Sequence, residues 1–292
     1  MKRMSQKKPF PQKNLKRKIN SYLCGFLSVY LPFLIISFVF SSCTKKKEPL
    51  VIQAAPIPPG KPVEEVYELG LKRYKQKRYQ EAIEQFEAVK NNYPFHPDAV
   101  EAELYTAESY YDWGKYLQAA EAYGTFRKMH PYHKKAPYAL LRQGESYAKE
   151  APKTYDRDLT YCKEALQVFD NFFRRYPDSQ YVSEARSFAR DCRWKLAGHE
   201  FYVGRFYYRT KKYEASINRL KGVLSKHSGF GFDEQAAWYL GLDYMKLKDY
   251  DEAKRIFQMI VDRYPFGKYK PKAQRKLLRI KLLYKKGSKK NG

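Results

Sequence analysis

Two long stretches of this 292-residue chain contain no acidic residue. Residues 1–42 carry eight Lys/Arg and residues 266–292 carry eleven, so only +7 of the formal charge of +26 falls between them. A nucleic-acid binder would set its cations in a stripe with stacking aromatics on one face. Cations gathered at two termini around a mixed-sign middle do not, and no nucleic-acid partner is expected. Motifs that carry chemistry are missing as well. The chain has no phosphate loop, dinucleotide fingerprint, zinc-ligand pair or nucleophile elbow. His130 and His133 straddle Pro131 at a turn, where they are expected to face solvent, and His96, His199 and His227 are scattered. No carboxylate pair stands out as an acid and a base. The expectation is therefore a protein that is not an enzyme, with no catalytic residues, no metal and no small-molecule cofactor. Cysteine is scarce too: of four, Cys24 lies in an apolar run and Cys43 at its end. Cys162 and Cys192, both on expected helices, read either as small buried hydrophobes or as a disulfide in an oxidising compartment. Period-two alternation is rare and strands are not needed.

What is present is apolar surface: 43% hydrophobic and 17% aromatic residues, with 28 Tyr, enough to bury a large core. The N-terminus has the order of an export signal. Lys2, Arg3, Lys7, Lys8, Lys13, Lys16, Arg17 and Lys18 precede an apolar run at 22–40, followed by Phe40-Ser41-Ser42-Cys43. Small residues let an extended chain enter a peptidase cleft, and the Cys43 thiol is a nucleophile able to take a diacylglyceryl group. The four residues resemble a bacterial lipobox, departing from it at Phe40 and Ser42. This implies a signal peptide at 1–42 and a lipid attachment at Cys43, S-diacylglycerol plus N-acyl. Residues 43–62 then form a flexible, Pro-rich tether. Acyl chains contribute about 0.8 kcal/mol per buried methylene, which makes such an anchor effectively permanent. The alternative is an uncleaved span, since about twenty apolar residues cross a bilayer. Thr44 is compatible with sorting to the outer membrane, on its periplasmic face.

Beyond the tether the chain repeats. Tyr79-Ala82, Tyr116-Ala119, Tyr213-Ser216 and Tyr250-Ala253 share one spacing, and Ala165 supplies a fifth small residue. Twelve residues earlier stand Gly70, Ala107, Gly204 and Gly241; four later stand Phe86, Tyr123, Phe169, Leu220 and Phe257; twelve later stand Pro94, Pro131, Pro177, Ser228 and Pro265. In the third unit Gly144 takes the early position, with nine extra residues before Ala165. Two antiparallel helices approach closely only where small side chains face each other. Large aromatics fill the gap to the next pair, and proline ends the second helix. These marks resemble the tetratricopeptide repeat, whose hairpins cannot bury their apolar faces alone and must stack. The expected fold is all-α: a solenoid of five such hairpins, two over residues 63–135 and three over 136–265. Residues 266–292 form a basic C-terminal helix and tail, with the helix at 270–285. Asp158, in the insertion at 149–160, is an expected N-cap.

Further strings are more specific: Asn92-Tyr93-Pro94-Phe95, Asp156-Arg157-Asp158, Arg175-Tyr176-Pro177-Asp178-Ser179-Gln180-Tyr181 and Asn218-Arg219-Leu220. With the lipobox and the third-unit insertion, they resemble the BamD family of outer-membrane protein assembly lipoproteins over about residues 64–253. The resemblance implies that the N-terminal hairpins, 63–135, meet unfolded outer-membrane proteins. It implies that the later ones dock the periplasmic domains of a BamA-like barrel subunit, alongside other lipoproteins of the assembly complex. Helix periodicity puts Tyr67, Leu71, Tyr74, Leu104, Glu108 and Tyr111 toward a substrate groove, although Tyr67 and Leu71 would serve equally to pack the hairpin. Arg219 matches a family arginine near the barrel-subunit contact. A competing reading is a repeat lipoprotein that coordinates cell-wall or envelope enzymes.

Overall fold

The computed structural model describes residues 61–288, with side chains through 285. Cys43, the apolar run and the tether lie outside the described residues, as do the readings attached to them.

Eleven helices follow one another: α1 (Val63–Lys75), α2 (Tyr79–Asn92), α3 (Pro97–Asp112), α4 (Tyr116–Met129), α5 (Ala136–Glu150), α6 (Thr160–Arg175), α7 (Val182–Arg209), α8 (Tyr213–Lys226), α9 (Asp233–Lys246), α10 (Tyr250–Arg263) and α11 (Lys270–Ser288). There is no strand among the described residues, and no helix there is long and apolar enough to cross a membrane. Each helix packs on its successor, while α1–α3, α5–α7 and α7–α9 also meet, so odd-numbered helices adjoin along one side. This is an all-α repeat solenoid of five hairpins with α11 on the last.

The hairpins close where the spacing placed the small residues. A β-carbon on Gly70, Gly144 or Gly241 would come within 2.6 Å of the ring of Phe86, Phe169 or Phe257 respectively, and one on Gly204 within 2.8 Å of Leu220. Ala107 and Tyr123 hold the equivalent positions of the second pair, both fully buried. Ala82, Ala119, Ala165, Ser216 and Ala253 are fully buried opposite them. Four hairpin turns share one device. Lys77, Gly114, Lys211 and Lys248 have φ of 59°, 77°, 62° and 62°. The following amide reaches back to the first helix, as in Arg78 N–H to the Arg73 carbonyl at 2.9 Å and Asp249 N–H to that of Tyr244 at 2.9 Å. These are left-handed helix C-caps of the Schellman kind.

Helix α7 is the longest of the described helices. It is a single helix of 28 residues, twice the length of α8. Ala185, Ala189 and Cys192 join a core with α5 and α6, and Phe201 joins another with α8 to α11. The insertion docks along it: Tyr155 sits where a β-carbon on Gly198 would be, its ring 5.6 Å from Trp194 and 5.7 Å from Phe232. Asp158 accepts from Thr160 N–H at 3.1 Å and Thr160 Oγ1–H at 2.8 Å, one residue upstream of Leu159, the N-cap. Cys162 and Cys192 are fully buried free thiols. Contact with Cys162, together with burial, holds the Cys192 thiol well above its usual range. The two turn histidines are not solvated as expected. His130 and His133 are half-buried with their rings 5.1 and 5.4 Å from Phe126, and His130 Nε2 lies 3.0 Å from Glu103. An apolar ring at the end of α4 draws them in.

Between the fourth and fifth hairpins, Asp243 is fully buried and burial pushes its carboxyl up to about 7. Ser216 Oγ lies 2.6 Å from Asp243 Oδ2 and 3.0 Å from the Gly204 carbonyl, yet a hydroxyl has one proton. The Ser216 hydroxyl therefore donates to the Asp243 carboxyl or to the Gly204 carbonyl, one at a time.

Two outcomes follow from these features. Replacing Lys211 or Lys248 by Gly relieves a left-handed side chain and raises unfolding free energy by about 0.5–1 kcal/mol, whereas Gly114→Ala lowers it; denaturant midpoints measure both. Asp243 binds its proton more tightly folded than unfolded, so its destabilising contribution grows as pH rises from about 4 to 7 and stays in full above that. Asp243→Asn should therefore gain on the native chain by about 3 kcal/mol between pH 4 and pH 8. Parallel stability curves would show that Asp243 is ionised throughout.

Candidate functional site

A cleft of about 570 Å³ opens where the first three hairpins meet. Tyr74 of α1 and Leu104, Tyr105 and Glu108 of α3 form one side. Tyr138 of α5 and Tyr181, at the start of α7, form the other, their rings 5.7 Å apart. Lys134, Lys135, Ser179 and Gln180 complete the rim. The turn before α7 is set by its own hydrogen bonds: Ser179 N–H donates to the Tyr176 carbonyl at 3.2 Å, and Tyr181 N–H to Ser179 Oγ at 3.3 Å. Tyr74 is fixed by its hydroxyl, which donates to Asp112 at 2.5 Å, and by edge contact with Tyr105 at 5.7 Å. Burial, with Asp112 beside it, holds the Tyr74 phenol above its ordinary range; burial and Glu108 do the same for Tyr138. These phenols stay neutral, so the cleft presents aromatic faces and hydroxyls.

Beneath the cleft lies a charged node that joins the second hairpin to the third. The Arg142 guanidinium of α5 stacks 3.4 Å over the Tyr111 ring, donates to Glu145 at 2.7 Å and pairs with Glu108 at 3.5 Å. Tyr111 donates its hydroxyl to Glu145, and Lys149 lies 4.5 Å over the same ring and 3.4 Å from Glu145. Burial alone would lower the Arg142 pKa, but Tyr123, Tyr138 and Glu145 around it more than offset this and raise it. Glu145 is 4% exposed, and Arg142, Lys149 and Tyr111 together meet its two oxygens.

Of the six groove residues read from periodicity, Tyr74, Leu104 and Glu108 line the cleft. Tyr67 and Leu71 pack against the first hairpin's core, with Tyr67 5.9 Å from Phe86 and 6.3 Å from Tyr105. Tyr111 is 7% exposed, its ring covered by Arg142 and Lys149. Tyr105, Tyr138 and Tyr181 escaped the sequence reading. The string that ends in Ser179-Gln180-Tyr181 stood out, but nothing in it pointed toward a cleft formed by α1 and α3. Arg219 lies apart, on α8, its Nη1 3.0 and 3.2 Å from the two Glu200 oxygens of α7 and its side chain 47% exposed. It borders a second cleft of about 570 Å³ with Tyr207, Asn218 and His227. Among the described residues no three His, Cys, Asp or Glu side chains gather where a metal could bind.

The family model described as outer membrane lipoprotein, YfiO, matches residues 59–247. The chain belongs to that family. A tetratricopeptide repeat model matches residues 235–266 as well. The chain is similar to proteins named outer membrane protein assembly factor BamD. It is 26% identical to that of Rickettsia prowazekii (strain Madrid E), over 81% of this chain and 91% of that one. Identity is 25% with that of Caulobacter vibrioides (strain ATCC 19089 / CIP 103742 / CB 15), over 76% and 71%, and 32% with that of Buchnera aphidicola subsp. Acyrthosiphon pisum (strain APS), over 37% and 44%. The family match spans the cleft, the arginine node and Arg219, and it supports association with the outer membrane and an assembly-factor role.

The node yields a stability test. Arg142→Met alone strands the Glu145 carboxylate in the interior and costs about 3–5 kcal/mol, while the double variant Arg142→Met/Glu145→Met recovers most of it. Additive losses, measured by denaturant unfolding of all three variants, would mean that the two side chains do not form one unit.

Proposed function

We propose that this chain is a non-enzymatic lipoprotein subunit of the outer-membrane β-barrel assembly machinery. Acylated Cys43 anchors it to the periplasmic face, and the cleft receives unfolded outer-membrane proteins. The observation that carries this reading is the cleft itself: four tyrosines, Tyr74, Tyr105, Tyr138 and Tyr181, from α1, α3, α5 and the start of α7, around one carboxylate, Glu108. Extended strands ending in aromatic residues present flat rings and free amides. Phenol faces stack on the rings, while phenol oxygens and Glu108 accept from the amides. The relatives' name, outer membrane protein assembly factor, supports the same role.

The later hairpins are assigned to docking the periplasmic domains of a BamA-like barrel subunit. Arg219, half-exposed and already oriented by Glu200, is the contact candidate, and other lipoproteins of the complex are further partners. A guanidinium held by one neighbour loses less freedom when it meets a carboxylate on a partner.

The full chain, purified from detergent-solubilised envelopes, should bring down a large β-barrel protein with periplasmic domains together with unfolded client. Tyr138→Ala and Tyr181→Ala should keep the barrel partner and lose about tenfold in client, the size of effect expected of aromatic anchors, with unchanged helicity. Absence of the barrel partner overturns the reading, and equal client recovery makes the rings packing residues only.

A further inference from the structure

Helix α11 carries eight Lys/Arg and no acid. One side is spent on the solenoid: Ala273 and Ile280 are fully buried against the last hairpin, and Tyr284 donates its hydroxyl to Asp251 at 2.8 Å with its ring 6.4 Å from Tyr250. At 3.6 residues per turn, Leu278 and Leu282 stand one turn apart, Leu282 opposite the buried side and Leu278 at the outer edge of a groove shared with Lys254, Gln258 and Val261 of α10. The two leucines are 63% and 61% exposed, among the most exposed large apolar residues of those described. The cations are not spread evenly around them. Arg275 and Arg279 flank this pair along one edge and Lys281 along the other, all exposed. α11 thus has two apolar faces, a buried one that holds it in place and a narrow outer one bordered by positive charge.

We propose that the outer face of α11 lies on an anionic phospholipid surface, the two leucines entering the acyl boundary and the flanking cations meeting headgroup phosphates. Each component has a physical reason. Leucine gains by leaving water, and the long stems of Lys and Arg let the charge stay at headgroup level while the helix settles. An acid-free face is drawn to negative lipid within a Debye length. A second copy of the chain would bring a like-charged helix against this one and repel it. An acidic protein would satisfy the charge, but two leucines are too few for the apolar centre of a specific protein interface, which buries about 800 Å² on each side. A shallow contact with lipid needs no more than a strip. The assignment does not rest on the groove reading: client binding fails or succeeds at Tyr138 and Tyr181, whatever α11 touches.

Because an N-terminal anchor would hold the chain to any bilayer, the test must read α11 itself. The full chain is placed in nanodiscs of phosphatidylcholine alone, or with about a third phosphatidylglycerol, and amide hydrogen exchange is followed peptide by peptide. Exchange across residues 275–285 should be about tenfold slower in the anionic discs, and the difference should vanish in high salt. Leu278→Ser/Leu282→Ser and, separately, Arg275→Gln/Arg279→Gln should each abolish it while exchange in α10 stays native, which shows that the variants are folded. Equal protection in both discs, or none in either, overturns the proposal. So does protection that appears only when an acidic protein is added to discs of either kind.

Discussion

Four of the five hairpins depend on the contact of a helix backbone with the large side chain of its partner, made possible by the missing β-carbon of Gly70, Gly144, Gly204 or Gly241. The second makes the same approach with Ala107. With Phe rings 2.6 Å, or Leu220 2.8 Å, from where the missing carbon would be, the two helices pack as closely as backbone and side chain allow. The closeness has a cost for the unit as a whole. Two helices this near enclose almost nothing between them, so their remaining apolar surface has to be covered by the next hairpin. The four core clusters follow from this, each shared by neighbouring hairpins, and so does the side along which odd-numbered helices adjoin.

Where stacking leaves a gap, polar chemistry decides what the gap becomes. Between α3 and α5, Arg142, Glu145 and Tyr111 fill the interior with paired charge, and the cleft opens above them, with Glu108 belonging to both. Between α8 and α9 a single carboxyl, Asp243, takes the equivalent role, pushed up to about 7 by burial. One junction is thus stapled by an ion pair with stacked rings, the other by a buried carboxyl bonded to Ser216. The first lies at the cleft; the second lies in the half assigned to docking.

Much of this was legible in the spacing of small residues, aromatics and prolines, because those positions answer to local geometry: a glycine faces a particular ring, a proline ends a particular helix. The turn device was less visible, since three of its four left-handed positions are held by lysine, a residue type that gives no signal for it. The length of α7 has its own reason. A proline at 177 ends α6, but nothing between 182 and 209 marks where a standard first helix would begin. The cleft was half legible. Tyr74, Leu104 and Glu108 follow from the periodicity of α1 and α3. Tyr138 and Tyr181 join them only through the way the third hairpin meets the first two, a relation carried by no local pattern. Tyr111 shows the reverse: it has the right periodicity, yet its exposure is removed by an arginine thirty-one residues away.

The central claim is that tyrosines from α1, α3, α5 and the start of α7 form one receiving surface for unfolded barrel proteins. Its most direct test is a photo-reactive amino acid placed at position 181 of the full chain in living cells, with the same probe at solvent-facing Tyr132, which is 99% exposed, as comparison. The account predicts adducts with newly made outer-membrane proteins from 181 and few from 132. Adducts equal at the two positions, or none from 181 while the chain remains in its complex, would contradict it.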